Sequence, residues 1–318
     1  MVTYPSLSLL SGTCSRSDLF LVVFCLVDDW MQTQFGHSSV PRRRGPQPHA
    51  FSDAEVLTIL LVGELCHCRR EQAWLRQIRN SYPALFPHLP EDSRFSRRAV
   101  RVQPLLRQFR QAVLFWADAD LEAFRIVDSL PLPLCACYRI RQSSLPLADA
   151  TFGYNASKRL FFFGLHPALL MTASGFVEDF ILAPGNLHDV PLLAAYLHEC
   201  ETEQRDLRGQ TWIMDKGFGS QPLVREAWER LGVRRLPRQK DRKGEPVSFA
   251  QQMIDQVRKP IEGLISVLTE CLGVQQLLVK TDQGLYRRTQ AMATAFALAR
   301  YFNRVLDLAP LNFARYAV

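Results

Sequence analysis

Apolar positions recur at helical spacing up to about residue 116 and then give way to short runs that read as strands. The first helix is predicted over about 18–35, packed through Phe20, Phe24 and Val27. Its run Leu19–Val27 is too short to span a bilayer, so a core helix is expected. Ser52-Asp53-Ala54-Glu55 is a capping box with Phe51 and Val56 in staple positions, opening a helix over 53–66. A helix over Glu71–Asn80 and a proline-rich connection, Tyr82–Pro90, follow. A basic helix then runs from Ser93 or Ser96 to Trp116. Val100, Leu105, Phe109 and Val113 form its expected inner face; Arg97, Arg98, Arg101, Arg107 and Arg110 are expected outside.

From residue 125 strands alternate with helices. Ile126 and Val127 favour a strand that Pro131 and Pro133 should end. The runs Arg159–Met171 and Phe176–Ala183 flank Gly175 as a hairpin. Next come a helix over Asp189–Glu203, a strand leading into Asp215, a helix over Ser220–Arg230 and a short strand over Gly232–Leu236. Ile261, Ile265 and Leu268 mark one more helix. A final helix, Arg288–Leu308, presents Met292, Ala295, Phe296, Ala299, Phe302 and Leu306 to the core. The order β-β-β-α-β-α-β-α suits a mixed sheet covered by helices on both faces.

Composition is that of an ordinary globular chain, with a formal charge of +7 that favours polyanionic partners. Arginine supplies most of the excess, and its planar fork suits phosphate. Two stretches concentrate it: Pro41–Pro48, with Arg42, Arg43 and Arg44, and Arg234–Lys243, with Arg238 and Lys240. Each reads either as a solvated tether or loop or as a phosphate-contacting arm. Cys66-His67-Cys68 and Cys135-Ala136-Cys137 lack the wider gap of structural zinc motifs and read as free thiols of a reducing compartment.

Three acids stand apart. Asp128 and Asp215 each end a short apolar strand, and Glu262 lies on a helix beside an apolar stripe. A buried lone acid is costly without a cation or hydrogen bonds. Three such carboxylates brought together would suit a hard divalent ion. Each also has a local reading: Asp128 accepting backbone N–H bonds, Asp215 in an Asx turn, and Glu262 at a helix start after Pro260.

At these residues the chain resembles bacterial insertion-sequence transposases of the DDE type, the ribonuclease-H-like group that includes retroviral integrases. The resemblance runs in order over roughly 20–306: Val127-Asp128-Ser129 with Pro131 and Pro133, Gly153-Tyr154-Asn155-Ala156, Phe163-Gly164, His166, Asn186-Leu187-His188-Asp189-Val190, Asp215-Lys216-Gly217-Phe218, and Arg258-Lys259 with Glu262. It implies an α/β, ribonuclease-H-like mixed five-stranded sheet after an all-helical, helix-turn-helix-like region. The expected division is a poorly ordered 1–17, a DNA-binding region 18–120 and a catalytic domain 121–318. The implied activity is DNA cutting at element ends and joining of the 3′-OH to target DNA, with two Mg²⁺ ions (Mn²⁺ substituting). Asp128 would bridge the ions, with Asp215 and Glu262 holding one each. Arg42, Arg43, Arg44, Arg97, Arg98, Arg101, Arg238, Lys240, Arg258 and Lys259 are the implied DNA contacts. A homodimer synapsing two ends, a bacterial cytoplasmic setting at the nucleoid, and no membrane complete the expectation. The alternatives are a catalytically silent DNA-binding derivative and a ribonuclease-H-like nuclease without strand transfer. Two positions depart from the pattern: related chains often carry Tyr and Lys where Asp255 and Thr269 stand, and Pro260 threatens the helix between Arg258 and Glu262. Asp189 also reads as a helix N-cap, and His166 as either a site residue or a core histidine.

Overall fold

The computed structural model describes residues 4–12, 14–36, 51–136, 150–155, 159–238, 248–270, 273, 277–279 and 281–317. The basic stretch Pro41–Pro48, with Arg42, Arg43 and Arg44, and the loop carrying Lys240 lie outside them. Contacts divide the chain into two compact units, one of Met1–Ala117, Val267–Val279 and Gln283–Val318, the other of Asp118–Ser266 and Lys280–Asp282.

The first unit is helical. Helix α1 (Arg16–Phe35) begins at Ser15, whose hydroxyl accepts the Asp18 N–H at 3.1 Å. Its buried stripe runs through Phe20, Val23, Val27 and Trp30, whereas Phe24, expected inside, is only half-buried. Helix α2 (Asp53–Leu65) carries the expected capping box, with Ser52 Oγ accepting from the Glu55 N–H at 3.1 Å. Helices α3 (Glu71–Ser81) and α4 (Asp92–Trp116) follow. Arg110, expected outside on α4, is fully buried and donates to Gln290 Oε1 at 2.8 Å. Arg98 is tied to Asp53 and to the Phe51 carbonyl, while Arg97 and Arg101 are exposed. The last helix, α8 (Asp282–Val305), groups with these helices and not with the sheet that follows. Its residues from Thr289 to Ala299 are buried on every side. Alanines alternate with Met292, Thr294, Phe296 and Leu298 from 291 to 299, so the burial here is not confined to a one-sided apolar stripe.

The second unit is built on a five-stranded sheet of order β6-β5-β1-β7-β8. Central β1 (Phe124–Ser129) runs antiparallel to β5 (Ala168–Thr172) and parallel to β7 (Thr211–Met214). The edges are β6 (Val177–Ile181), antiparallel to β5, and β8 (Arg234–Pro237), parallel to β7. Helices α5 (Asp189–Thr202) and α6 (Gln221–Leu231) bury Leu193, Tyr196, Leu197, Leu223 and Ala227 with Val127, Trp212 and Met214 of the sheet. This is the expected α/β, ribonuclease-H-like arrangement.

A second, three-stranded sheet was not anticipated, with order β2-β4-β3 and strands β2 (Leu132–Ala136), β3 (Thr151–Asn155) and β4 (Leu160–Leu165). The prolines after Asp128 do end β1, but the chain resumes as an edge strand with a register shift between Pro133 and Cys135. An edge with a bulge is where a sheet tolerates proline. The apolar run Arg159–Met171 is likewise two strands in two sheets, parted at His166-Pro167. The motif glycines let backbones meet here. A Cβ on Gly164 would stand 2.2 Å from the Leu132 carbonyl oxygen, and one on Gly153 would stand 2.5 Å from that of Gly185. Gly164→Ala should therefore cost about 1–3 kcal/mol in urea unfolding. Gly12→Ala, whose Cβ would meet nothing within 4 Å, should leave the midpoint unchanged; equal midpoints for both variants would refute the close-approach argument.

Candidate active site

Strand β1 places Val127 beside Met214 of β7, so Asp128 and Asp215 leave neighbouring parallel strands at the same level. Residues at the carboxyl ends of such strands, beside a reversal of strand direction, are well placed to meet a ligand. Asp128 Oδ1 accepts the Ser129 N–H at 2.9 Å. Burial pushes its carboxyl up to about 6, against the lowering effect of the Arg258 guanidinium and the Ser129 N–H; the charges of Asp215 and Asp189 add to the rise. Asp215 follows β7 at the start of the short 3₁₀ turn Lys216–Phe218, and its side chain makes no capping bond there.

One cation joins the two acids. Arg258 Nη1 donates to Asp215 Oδ1 at 3.0 Å and Nη2 stands 3.8 Å from Asp128 Oδ2. Arg258 projects from helix α7 (Phe249–Glu270), which continues through Pro260 without a break. Glu262 is therefore mid-helix, four residues past Arg258 and on the same side, and not at a helix start. It is exposed, and among the described residues no three Asp, Glu, His or Cys side chains gather into a metal-holding group. Thus two of the expected carboxylates meet, and Glu262 is not drawn onto them. Lys259 is exposed beside Arg258. The donor chemistry of the pair, oxygens already sharing a cationic group, fits a hard divalent ion.

A third aspartate locks the pair's surroundings, a role that no local sequence pattern marks. Asp189 was expected to cap α5, but His188 occupies the cap position and Asp189 is the first helical residue. Its Oδ1 accepts from Ser129 Oγ at 2.9 Å, next to Asp128. A Cβ on Gly217 would stand 2.3 Å from its Oδ2, next to Asp215. His166 Nδ1 lies 2.9 Å from the Leu187 carbonyl and so carries the proton it donates there. Its Nε2 faces Asp189 Oδ1 at 3.9 Å, beyond hydrogen-bond reach. The clue was present in the ordered motif, which contains Ser129, His166, Asp189 and Gly217, but no local pattern says that these four converge.

One expected basic contact, Arg238, and Arg235 of the same stretch are engaged within the protein. Arg238 pairs with Asp255 of α7, Nε to Oδ1 at 2.8 Å and Nη2 to Oδ2 at 3.3 Å. Arg235, read as part of an exposed basic stretch, is buried and donates to the Phe218 carbonyl at 2.8 Å, closing the turn after Asp215. Burial without a nearby acid pulls it down to about 10.

The family model described as "Transposase DDE domain" matches residues 121–295. No curated protein matches the chain. Among solved structures, the "Crystal structure of a pre-cleavage Mos1 transpososome" aligns with 95% of this chain and 98% of that chain at 12% identity, with a TM-score of 0.20, too low to bear on the site. No helix among the described residues is long and apolar enough to cross a membrane.

The raised Asp128 carboxyl has a consequence for stability. An unfolded aspartate titrates near 3.9, so the folded chain holds an extra proton between about pH 4 and 6. This stabilisation is complete below pH 4 and is lost as pH rises through 6. Without metal ions, Asp128→Asn should therefore gain on the wild type by about 3 kcal/mol between pH 4 and 8. A pH-independent difference between their urea midpoints would show that the carboxyl is not raised.

Proposed function

The chain belongs to the transposase DDE-domain family, and on that premise we propose that it cuts DNA at the ends of a mobile element and joins the resulting 3′-OH to target DNA. The observation that carries the proposal is the meeting of Asp128 and Asp215, from adjacent parallel strands, on the single guanidinium of Arg258. Two strand-end carboxylates with a shared cation are suited to bind metal ions and stabilise charge at phosphorus.

Cutting forms a bond from water oxygen to phosphorus and breaks the P–O3′ bond, leaving the 3′-OH. Joining forms a bond from that 3′ oxygen to a target phosphorus and expels the target's own 3′ oxygen. A pair of Mg²⁺ or Mn²⁺ ions held by Asp128, Asp215 and Glu262 would supply Lewis acidity to the entering and leaving oxygens. The protein residues hold the geometry. Ser129, Asp189 and Gly217 keep the two strand ends together. Arg258 balances the paired charge and stands ready to meet phosphate, with Lys259 beside it. Glu262, one turn further on α7 and exposed, would have to move in toward the aspartate pair to share an ion with it.

Exposed Arg97 and Arg101 on α4 are assigned to the backbone of the element ends, in a helical region of 18–120. Arg42, Arg43, Arg44 and Lys240 are assigned to phosphate contacts as well, and Arg98 and Arg238 to positioning through Asp53 and Asp255. A homodimer in the bacterial cytoplasm would bring two ends together. A catalytically silent DNA-binding derivative is the second reading, favoured by the exposed position of Glu262 outside the aspartate pair.

End-labelled duplex carrying the repeats that flank the gene, incubated with Mg²⁺, should yield both nicked and strand-transfer products. Nicking without joining would indicate a nuclease, and binding without nicking the silent derivative. Asp128→Asn, Asp215→Asn and Glu262→Gln should each abolish cutting and leave DNA binding intact. Arg97→Glu with Arg101→Glu should make the slope of log affinity against log salt shallower by about 2; an unchanged slope would remove α4 from the DNA interface.

A further inference from the structure

The three-stranded sheet has two unlike faces. Its inner face is closed: Phe162 is buried, Gly153 and Gly164 meet neighbouring backbone, and Thr151 Oγ1 accepts the Asn186 N–H at 3.0 Å. Its outer face carries Phe152, Tyr154 and Phe161, which are 58%, 52% and 66% exposed, with half-buried Phe163. The strand register sets Phe152 opposite Phe163 and Tyr154 opposite Phe161, with ring centroids 5.6 and 4.8 Å apart. Four rings thus form two adjacent pairs in water, where a solvated sheet face is ordinarily polar. Nothing in the proposed chemistry uses them.

Their position names the occupant. Strand β2 starts four residues past Asp128, and β4 ends at Leu165, immediately before His166. Phe163 is three residues from His166, so the nearer ring pair lies on the order of 10 Å from that histidine and the second about 7 Å further out. A strand cut at Asp128 and Asp215 could run its neighbouring nucleotides along this line. Paired bases hide their faces in the duplex stack; unpaired bases offer them to aromatic rings. Exposed Arg159, at the turn between β3 and β4, adds a cation at the outer end, within a chain of net charge +7. The rings expose roughly 300–400 Å², well short of the ~800 Å² per partner of a stable protein interface. We propose that the outer face of β3 and β4 binds unpaired DNA bases next to the cleavage site by stacking on Phe152, Tyr154, Phe161 and Phe163. This rests on the transposase reading and adds to it a requirement for locally opened DNA.

The test uses the full chain in EDTA, with fluorescein-labelled DNA carrying the repeats that flank the gene, either fully paired or forked into a single-stranded arm at the element end. Tyr154→Ala with Phe161→Ala should weaken binding to the fork roughly tenfold or more and leave binding to the paired duplex unchanged. Phe161→Trp, which keeps the stacking surface and does not depend on the alanine variant folding, should have its fluorescence quenched by the fork and not by the paired duplex. Wild-type binding to both DNAs with no quenching and no loss on alanine substitution would overturn the stacking proposal alone. Failure of the wild type to bind either DNA would sink the transposase reading and this proposal with it. A wild-type dimer that the alanine substitutions dissociate in sedimentation would assign the face to a second copy of the chain and overturn the proposal.

Discussion

Two carboxylates on neighbouring strands repel each other, and the site depends on how that repulsion is held. Burial of Asp128 makes its charge costlier still. Arg258 lies across both acids and offsets it. The sheet register and the placement of α7 are therefore coupled: β1 and β7 set the acids side by side, and α7 supplies the cation they need. The Arg238–Asp255 pair fastens the same helix to the end of β8. Asp255 thus serves as the anchor of α7.

Around this pair the structure excludes bulk. Gly217 leaves room for the Asp189 carboxylate, and Gly153, Gly164 and Gly185 let three stretches of backbone touch. Small residues at such points are steric requirements, since a methyl group would displace backbone or a carboxylate. Buried Arg235 performs a related task from behind, bonding the Phe218 carbonyl that ends the turn after Asp215.

Much of the secondary structure was legible because its causes are local. Capping at Ser52 depends on residues three apart, and α2 begins at the predicted position. The strand ends at Asp128 and Asp215 follow from short β-branched or apolar runs and the turn chemistry after them. Where a distant partner decides the outcome, the local pattern points elsewhere. Arg110 looked like a surface arginine until Gln290 of α8 was beside it. Asp189 looked like a helix cap until Ser129 took its carboxylate. The run 159–171 looked like one strand, yet His166-Pro167 divides it between two sheets because the two halves pair with different neighbours.

By itself the sequence determined which segments would be helix or strand, where two of the acids would stand at strand ends, and that the chain carries an arginine excess. Those properties depend on periodicity, propensity and charge, all of which act over a few residues or simply add. Only the tertiary structure decided that Asp128 and Asp215 share Arg258, that Glu262 stands apart from them, that Arg98, Arg235 and Arg238 are engaged internally, and that four aromatic rings face solvent. Each of these turns on which distant backbone lies alongside, and burial, pairing and exposure have no counterpart in a one-dimensional pattern.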